Sequence, residues 1–154
     1  MIPEKLDFLQ NDFIFHLKHL APDARGKWGV MNGQQMVEHF SASVRNASGK
    51  LKLPVVNEGE KLQKFRTFLM SETPFKENTK NPLLKETPVK SRHSTMQAAI
   101  AELQQEIDDF VSTFQKNPQH KTQNPFFGEL NFEENVQLLH KHAVHHLKQF
   151  GLLS

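Results

Sequence analysis

Apolar residues that recur three and four positions apart are the strongest constraint on the fold of this chain. The clearest run lies between Ser94 and Lys116, where an apolar side chain returns to one face of a helix at every turn. Ser94, with Gln97 three residues later, fits a capping box and predicts where the helix begins. This segment is therefore predicted to be a helix with one buried face, formed by Met96, Ile100, Leu103, Ile107, Phe110 or Val111, and Phe114.

Three further segments have the same periodicity, over residues 3–20, 32–49 and 131–150. Asn32 and Asn131 are good N-caps, and each is followed three residues later by the Gln or Glu of a capping box. No segment shows the strict alternation of apolar and polar residues that is typical of a half-buried strand. We therefore predict an all-α chain, folded as a four-helix bundle, and a single domain that spans residues 1–154.

The connection between the second and third predicted helices is unusually long. Residues 50–92 contain four prolines and room for one short helix, over about Lys61–Met70. A crossover of this length lets the third helix of a bundle run parallel to the second. We expect it to pack on the bundle as a flap over one end, because apolar residues are spaced along it: Phe75, Leu83, Leu84 and Val89. The run 124–130 is likewise too apolar for a free loop.

Charge and composition argue against several classes of function. The 19 basic and 17 acidic side chains leave a net charge of +2 and form no Lys/Arg-rich run, so we expect no nucleic-acid partner. There is no Cys, which removes disulfides and thiolate ligands. The first twenty residues lack the apolar core of a signal peptide, and no stretch is long and apolar enough to span a membrane. We therefore expect a cytoplasmic protein with no membrane partner.

Histidines are concentrated near the end of the last predicted helix, which holds four of the nine. His142 and His146 are one turn apart, so their rings converge on one point, a spacing that helical zinc sites use. His39 lies beside core positions of the second helix and can point along a seam toward a neighbouring helix. By spacing alone, these side chains also fit ordinary surface or hydrogen-bonded histidines. His140 and His145 are expected on the solvated side.

Two segments resemble the DinB/YfiT-like superfamily. Residues 125–130 followed by residues 142–151 are similar to a branch of uncharacterised bacterial proteins that end in His-x-x-His-His-x-x-Gln-Phe-Gly. The stretch from Trp28 to Phe40, which closes on Glu-His-Phe, matches the second-helix motif of the superfamily. The resemblance extends over essentially the whole chain, although no motif can be mapped onto residues 50–92.

The resemblance implies a four-helix bundle with a long crossover between helices 2 and 3, and often a homodimer. It also implies a divalent metal held by His39 on the second helix and by His142 and His146 on the last. Gln149 occupies a position that is often Gln in the superfamily, from which it can orient a ligand or a bound water. Three imidazoles with an open position suit Zn²⁺ or Ni²⁺ best, with Fe²⁺ and Mn²⁺ as alternatives.

Two classes of function are compatible with these features. The first is a metal-dependent enzyme: superfamily members with known activity are largely transferases and isomerases that use small thiols. The open site would either hold a small-molecule thiol as thiolate, as in an S-transferase, or activate water, as in a hydrolase. No catalytic acid or base can be assigned, and Glu38 is a weak candidate because it shares no helix face with His39.

The second is a non-catalytic helical bundle with a structural or adventitious metal, whose surface binds a partner. A role in DNA damage is implied by the superfamily's name alone, and the near-neutral charge argues against direct DNA contact.

Overall fold

The computed structural model describes residues 2–79 and 89–154. Over these residues the chain is mostly helical and has one small two-stranded sheet. Helix α1 consists of α-helical Ile2–Asp7 and Phe13–Leu17, which are joined by a π-helical segment, Phe8–Asp12. None of the described helices is long and apolar enough to cross a membrane. The other helices, in chain order, are α2 (Gly33–Ser48), α3 (Gly59–Met70), α4 (Met96–Lys116) and α5 (Phe132–Gln149).

Four of the five helices contribute to one hydrophobic core. Helices α1, α2, α4 and α5 bury apolar faces against one another, and Phe13, Phe40 and Phe110 in this core are fully buried. Each such side chain stabilises the fold by about 1.5–3 kcal/mol relative to an exposed one. The apolar spacing therefore predicted the buried faces of these helices correctly, and it is Phe110 rather than Val111 that is fully buried.

The helix starts follow the capping signals closely. Asn32 and Asn131 both form the complete capping boxes that the sequence predicts. Helix α4 begins one residue later than predicted, because its N-cap is Thr95 and not Ser94. The hydroxyl oxygen of Thr95 accepts a hydrogen bond from the backbone N–H of Ala98 at 3.1 Å. Two adjacent hydroxyl side chains were both suitable caps, and only the backbone conformation selects between them.

The prediction of a chain without strands is wrong between α4 and α5. A hairpin of β1 (Thr122–Asn124) and β2 (Gly128–Leu130) pairs antiparallel there. The side-chain oxygen of Asn124 accepts hydrogen bonds from the backbone N–H groups of the two phenylalanines in the turn, at 2.9 and 3.1 Å. Gly128 has φ of 78°, a left-handed conformation that glycine adopts readily. Three-residue polar strands carry too little alternation to be recognised.

The long connection packs on this hairpin through α3. Leu69 of α3 is buried together with Phe127 and Leu130 of the hairpin in a second, smaller apolar cluster. The expectation that residues 124–130 pack on the fold is thus confirmed. Within the connection, Phe75 packs against this cluster, whereas Val89 is 73% exposed, contrary to its predicted packing. The predicted contacts of Leu83 and Leu84 lie outside the described residues.

Candidate metal centre

Three histidine rings from two helices converge on one point. Nε2 of His142 on α5 lies 2.7 Å from Nε2 of His146 and 3.3 Å from Nε2 of His39 on α2. One ligand atom from each ring lies within 4.8 Å of the other two, so the three side chains are close enough to hold one metal ion. Over residues 2–79 and 89–154, no carboxylate joins this group.

The packing of α2 against α5 brings His39 to the other two. His142 and His146 share a face of α5 because they are one turn apart. Phe40, which follows His39 on α2, is fully buried and packs its ring 4.9 Å from the ring of His142. Phe40 also packs 4.7 Å from Phe13 of α1, so the core side of the three histidines is fixed by close-packed aromatic rings.

Burial keeps all three imidazoles neutral. Desolvation lowers the pKa of His39 from 6.5 to about 4 and the pKa of His146 to about 3. The pKa of His142 is also well below its usual value, first because of burial and then because of the neighbouring rings. A neutral imidazole is the form that binds metal, so at neutral pH no proton has to be displaced from the ligand set by an arriving ion.

Gln149 fixes the orientation of His146. Its Oε1 lies 2.7 Å from Nδ1 of His146, and its Nε2 donates to the carbonyl oxygen of Trp28 at 2.9 Å. Because the amide nitrogen is engaged by a carbonyl, the oxygen must accept from the ring. Nδ1 of His146 therefore carries the proton, and the lone pair of Nε2 is directed at the other two histidines.

The loop between α1 and α2 is shaped to enclose Gln149. A Cβ on Gly26 would lie 2.9 Å from Cγ of Gln149, and a Cβ on Gly29 would lie 2.8 Å from its Nε2. Gly29 also has φ of +81°, which favours glycine. The backbone N–H of Lys27 donates to the carbonyl oxygen of Gln149 at 2.6 Å. The loop thus leaves room for the side-chain amide of Gln149 and hydrogen-bonds its backbone carbonyl.

The geometry and the chemistry of this donor set fit a divalent ion. In a tetrahedral zinc site with Zn–N bonds of about 2.0–2.1 Å, neighbouring nitrogens are about 3.3 Å apart. The 3.3 Å between His39 and His142 matches this separation. The 2.7 Å between His142 and His146 is shorter. These two rings would therefore have to separate by about 0.6 Å, a small side-chain rotation, to adopt the same geometry.

Two further histidines of α5 lie outside the group. His140 packs edge-on against Phe8 of α1 at 5.1 Å. His145 was expected on the solvated side, but its half-buried ring lies 5.3 Å from Trp28, 5.9 Å from Phe75 and 5.5 Å from the ring of His146. The contacts of His145 with these aromatic rings were not predictable from spacing along one helix.

Glu38, the neighbour of His39, holds backbone in place. Its carboxylate accepts from the backbone N–H of Arg92 at 2.7 Å and of His93 at 3.3 Å, and from Nε2 of Gln34 at 3.1 Å. These contacts tie the start of the α4 region to α2 beside the histidines. They are the contacts of a structural carboxylate.

Comparison of the chain with protein-family models, with curated proteins and with solved structures gives no match. The interpretation of the three histidines therefore depends on their geometry and on the chemistry of their side chains.

Proposed function

We propose that this protein is a metal-dependent enzyme that binds one divalent ion through His39, His142 and His146 and transfers a group to or from a small-molecule thiol. The observation that carries the proposal is the convergence of one ring nitrogen from each histidine within 4.8 Å, together with the proton that Gln149 holds on Nδ1 of His146. A surface histidine needs neither feature, whereas a metal ligand needs both.

The donor set favours Zn²⁺ or Ni²⁺. Imidazole nitrogen suits these ions, while Mn²⁺ prefers oxygen ligands and Fe²⁺ sites of this kind usually include a carboxylate. Three protein ligands leave a fourth position for a substrate, which is the arrangement of catalytic rather than structural zinc sites.

We also propose that α1, α2, α4 and α5 form a four-helix bundle of the DinB/YfiT-like kind, with α3 inside the crossover. Two observations support this. The four helices share the main hydrophobic core, and the histidines lie on the second and the last of them, as the resemblance implies. Pairing of two such bundles into a homodimer belongs to the same proposal.

The chain's own residues would prepare the reaction. An ion at this site would supply Lewis-acid chemistry, lowering the pKa of a thiol or a water that it binds. His39, His142 and His146 present neutral lone pairs, Gln149 keeps one of these rings oriented, and the buried Phe40 closes the core side. Because the chain has no Cys, the thiol must come from a separate molecule.

Metal content of untagged protein tests the ligand set. Wild type should carry about one Zn or Ni per chain, and His39→Ala should carry none while keeping its helical circular dichroism. His19→Ala is the matched control, because His19 is exposed just after α1 and its ring contacts Phe15 of that helix. Unchanged metal in His39→Ala would rule out the three-histidine site.

A non-catalytic bundle with a structural metal is the alternative, and the burial of His146, which is 5% exposed, favours it. The two functions differ at the fourth coordination position of the ion, which is open to a substrate in the enzyme and closed in a structural site. Protein loaded with Co²⁺ should change its visible spectrum when a small thiol enters an open site. A spectrum that no thiol alters would favour the structural metal.

A further inference from the structure

Phe40 covers one side of the three histidines, and two of the three residues keep some exposed surface. Phe40 is fully buried and packs on the rings of both His142 and His146, at 4.9 and 6.5 Å. His39 and His142 are themselves only partly buried. A molecule that reaches an ion held by these residues must therefore approach from the side that Phe40 does not cover.

Two partly exposed aromatic rings, those of Trp28 and Phe75, lie beside the histidines of α5. The ring of Phe75 lies edge-on to His142 at 6.5 Å and to His145 at 5.9 Å. The ring of Trp28 lies 5.3 Å from the ring of His145. The ring of His145 in turn lies 5.5 Å from that of His146. Trp28 and Phe75 come from different loops, yet both pack against the same stretch of α5.

Side chains of α5 hold both aromatic residues in position. Nε2 of Gln149 donates to the carbonyl oxygen of Trp28 at 2.9 Å. The ring of His145 is hydrogen-bonded to the backbone of Phe75, and Nζ of Lys141 donates to the carbonyl oxygens of Ser71, at 2.7 Å, and of Thr73. The backbone at or just before each aromatic residue is thus held by side chains adjacent to the proposed metal ligands or one turn from them, an arrangement that limits the ordering needed when a ligand binds.

We propose that Trp28 and Phe75 form an aromatic wall that receives the flat, apolar part of the ligand whose donor atom occupies the ion's open position. The ligand class is a small molecule with a metal-binding head and an aromatic or other planar apolar body. This inference rests on the proposed function, because the wall selects a ligand only if the three histidines hold an ion.

Two thiols that differ in their apolar body test the wall on Co²⁺-loaded protein. Benzyl mercaptan and ethanethiol are titrated separately, and binding is followed by the thiolate-to-cobalt absorption band. Wild type should bind benzyl mercaptan about tenfold more tightly than ethanethiol. Phe75→Ala and Trp28→Ala should each reduce this ratio about 3- to 10-fold and leave the ethanethiol affinity nearly unchanged.

Phe15→Ala is the control variant, because Phe15 is an aromatic residue of α1 that is 59% exposed and packs on the nearby rings of His16 and His19. The ratio of benzyl mercaptan affinity to ethanethiol affinity in Phe15→Ala should equal that of wild type. The cobalt spectrum before thiol addition shows whether each variant keeps the metal site. The aromatic wall would be overturned if wild type bound the two thiols with equal affinity, or if neither wall variant changed the affinity ratio. Failure of wild type to bind cobalt, or of both thiols to bind the cobalt-loaded protein, would instead overturn the proposed function.

Discussion

The side-chain amide of Gln149 determines which ring nitrogen of His146 carries the proton. The 2.7 Å contact between Oε1 and Nδ1 is one half of this arrangement, and the donation of Nε2 to the Trp28 carbonyl is the other. The Trp28 carbonyl prevents the amide from flipping, since a flipped amide would place its oxygen against that carbonyl oxygen. The loop before α2 is therefore linked to the three histidines through the side chain of Gln149.

Removing this amide should weaken metal binding without removing a ligand. Gln149→Ala leaves three imidazoles but frees the ring and tautomer of His146, so we expect Zn²⁺ affinity to fall about 10- to 100-fold. Competition with a chromophoric chelator measures this change. Gln104→Ala, at an exposed position of α4, should keep the wild-type affinity. Wild-type affinity in a folded Gln149→Ala protein would show that His146 is oriented by its packing alone.

Trp28 should report metal binding by its fluorescence. It is the only Trp, there is no Tyr, and its carbonyl is joined through Gln149 to His146. Cu²⁺ and Ni²⁺ quench a nearby indole, so titration of wild type should quench emission to saturation at about one ion per chain. His142→Ala should abolish this saturable quenching, whereas His19→Ala should retain it. Equal quenching in all three proteins would mean that the ions bind elsewhere.

Local signals in the sequence predicted most helix positions and half of the candidate site. The capping boxes at Asn32 and Asn131 involve residues three positions apart, so they depend on nothing outside the segment. The pairing of His142 with His146 is equally local. Polar three-residue strands such as Thr122–Asn124 lack any comparable signal, because they are defined by pairing and not by periodicity.

The other half of the candidate site depends on contacts between distant segments. His39 is 103 residues from His142, and only the packing of α2 on α5 brings their rings together. The resemblance to a known superfamily implied this pairing, whereas spacing could not. The contact of Gln149 with Trp28 uses a backbone carbonyl, which every residue possesses. Its only trace in the sequence is the pair of glycines, Gly26 and Gly29, that leave room for the amide.

The stability of the metal-free protein should fall in mild acid. In the folded chain the pKa of His39 is about 4 and that of His146 about 3, whereas both are near 6.5 when unfolded. Between these values the unfolded chain binds more protons, so lowering the pH favours unfolding. The stabilisation is complete above about pH 6.5 and is lost toward the folded pKa values, at about 1.4 kcal/mol per pH unit for each such histidine.

Urea unfolding in the presence of a chelator, repeated between about pH 4 and pH 7, measures this dependence. His39→Gln removes one of the titrating groups and should make the dependence shallower than in wild type. His19→Gln replaces an exposed ring and should leave the pH dependence of stability unchanged. A His39→Gln protein with the wild-type dependence would contradict the burial of a neutral His39 as the cause.

Lys141 should control the order of the chain that leads to Phe75. Its Nζ donates to the carbonyl oxygens of Ser71, at 2.7 Å, and Thr73, and lies 4.7 Å over the ring of Phe68. Lys141→Met keeps an unbranched side chain of similar length but leaves both carbonyls without this donor. Loss of these bonds should cost about 1–3 kcal/mol of unfolding free energy, because Lys141 is only 7% exposed.

Hydrogen exchange resolved by peptide distinguishes this local effect from a general loss of stability. In Lys141→Met, backbone amides of residues 71–79 should exchange faster, while those of α4, on the other side of the core, should keep their relative order of protection. Lys64→Met is the matched control, since Lys64 is exposed on α3. If exchange instead rises uniformly in Lys141→Met, then Lys141 stabilises the fold as a whole and does not position the chain that carries Phe75.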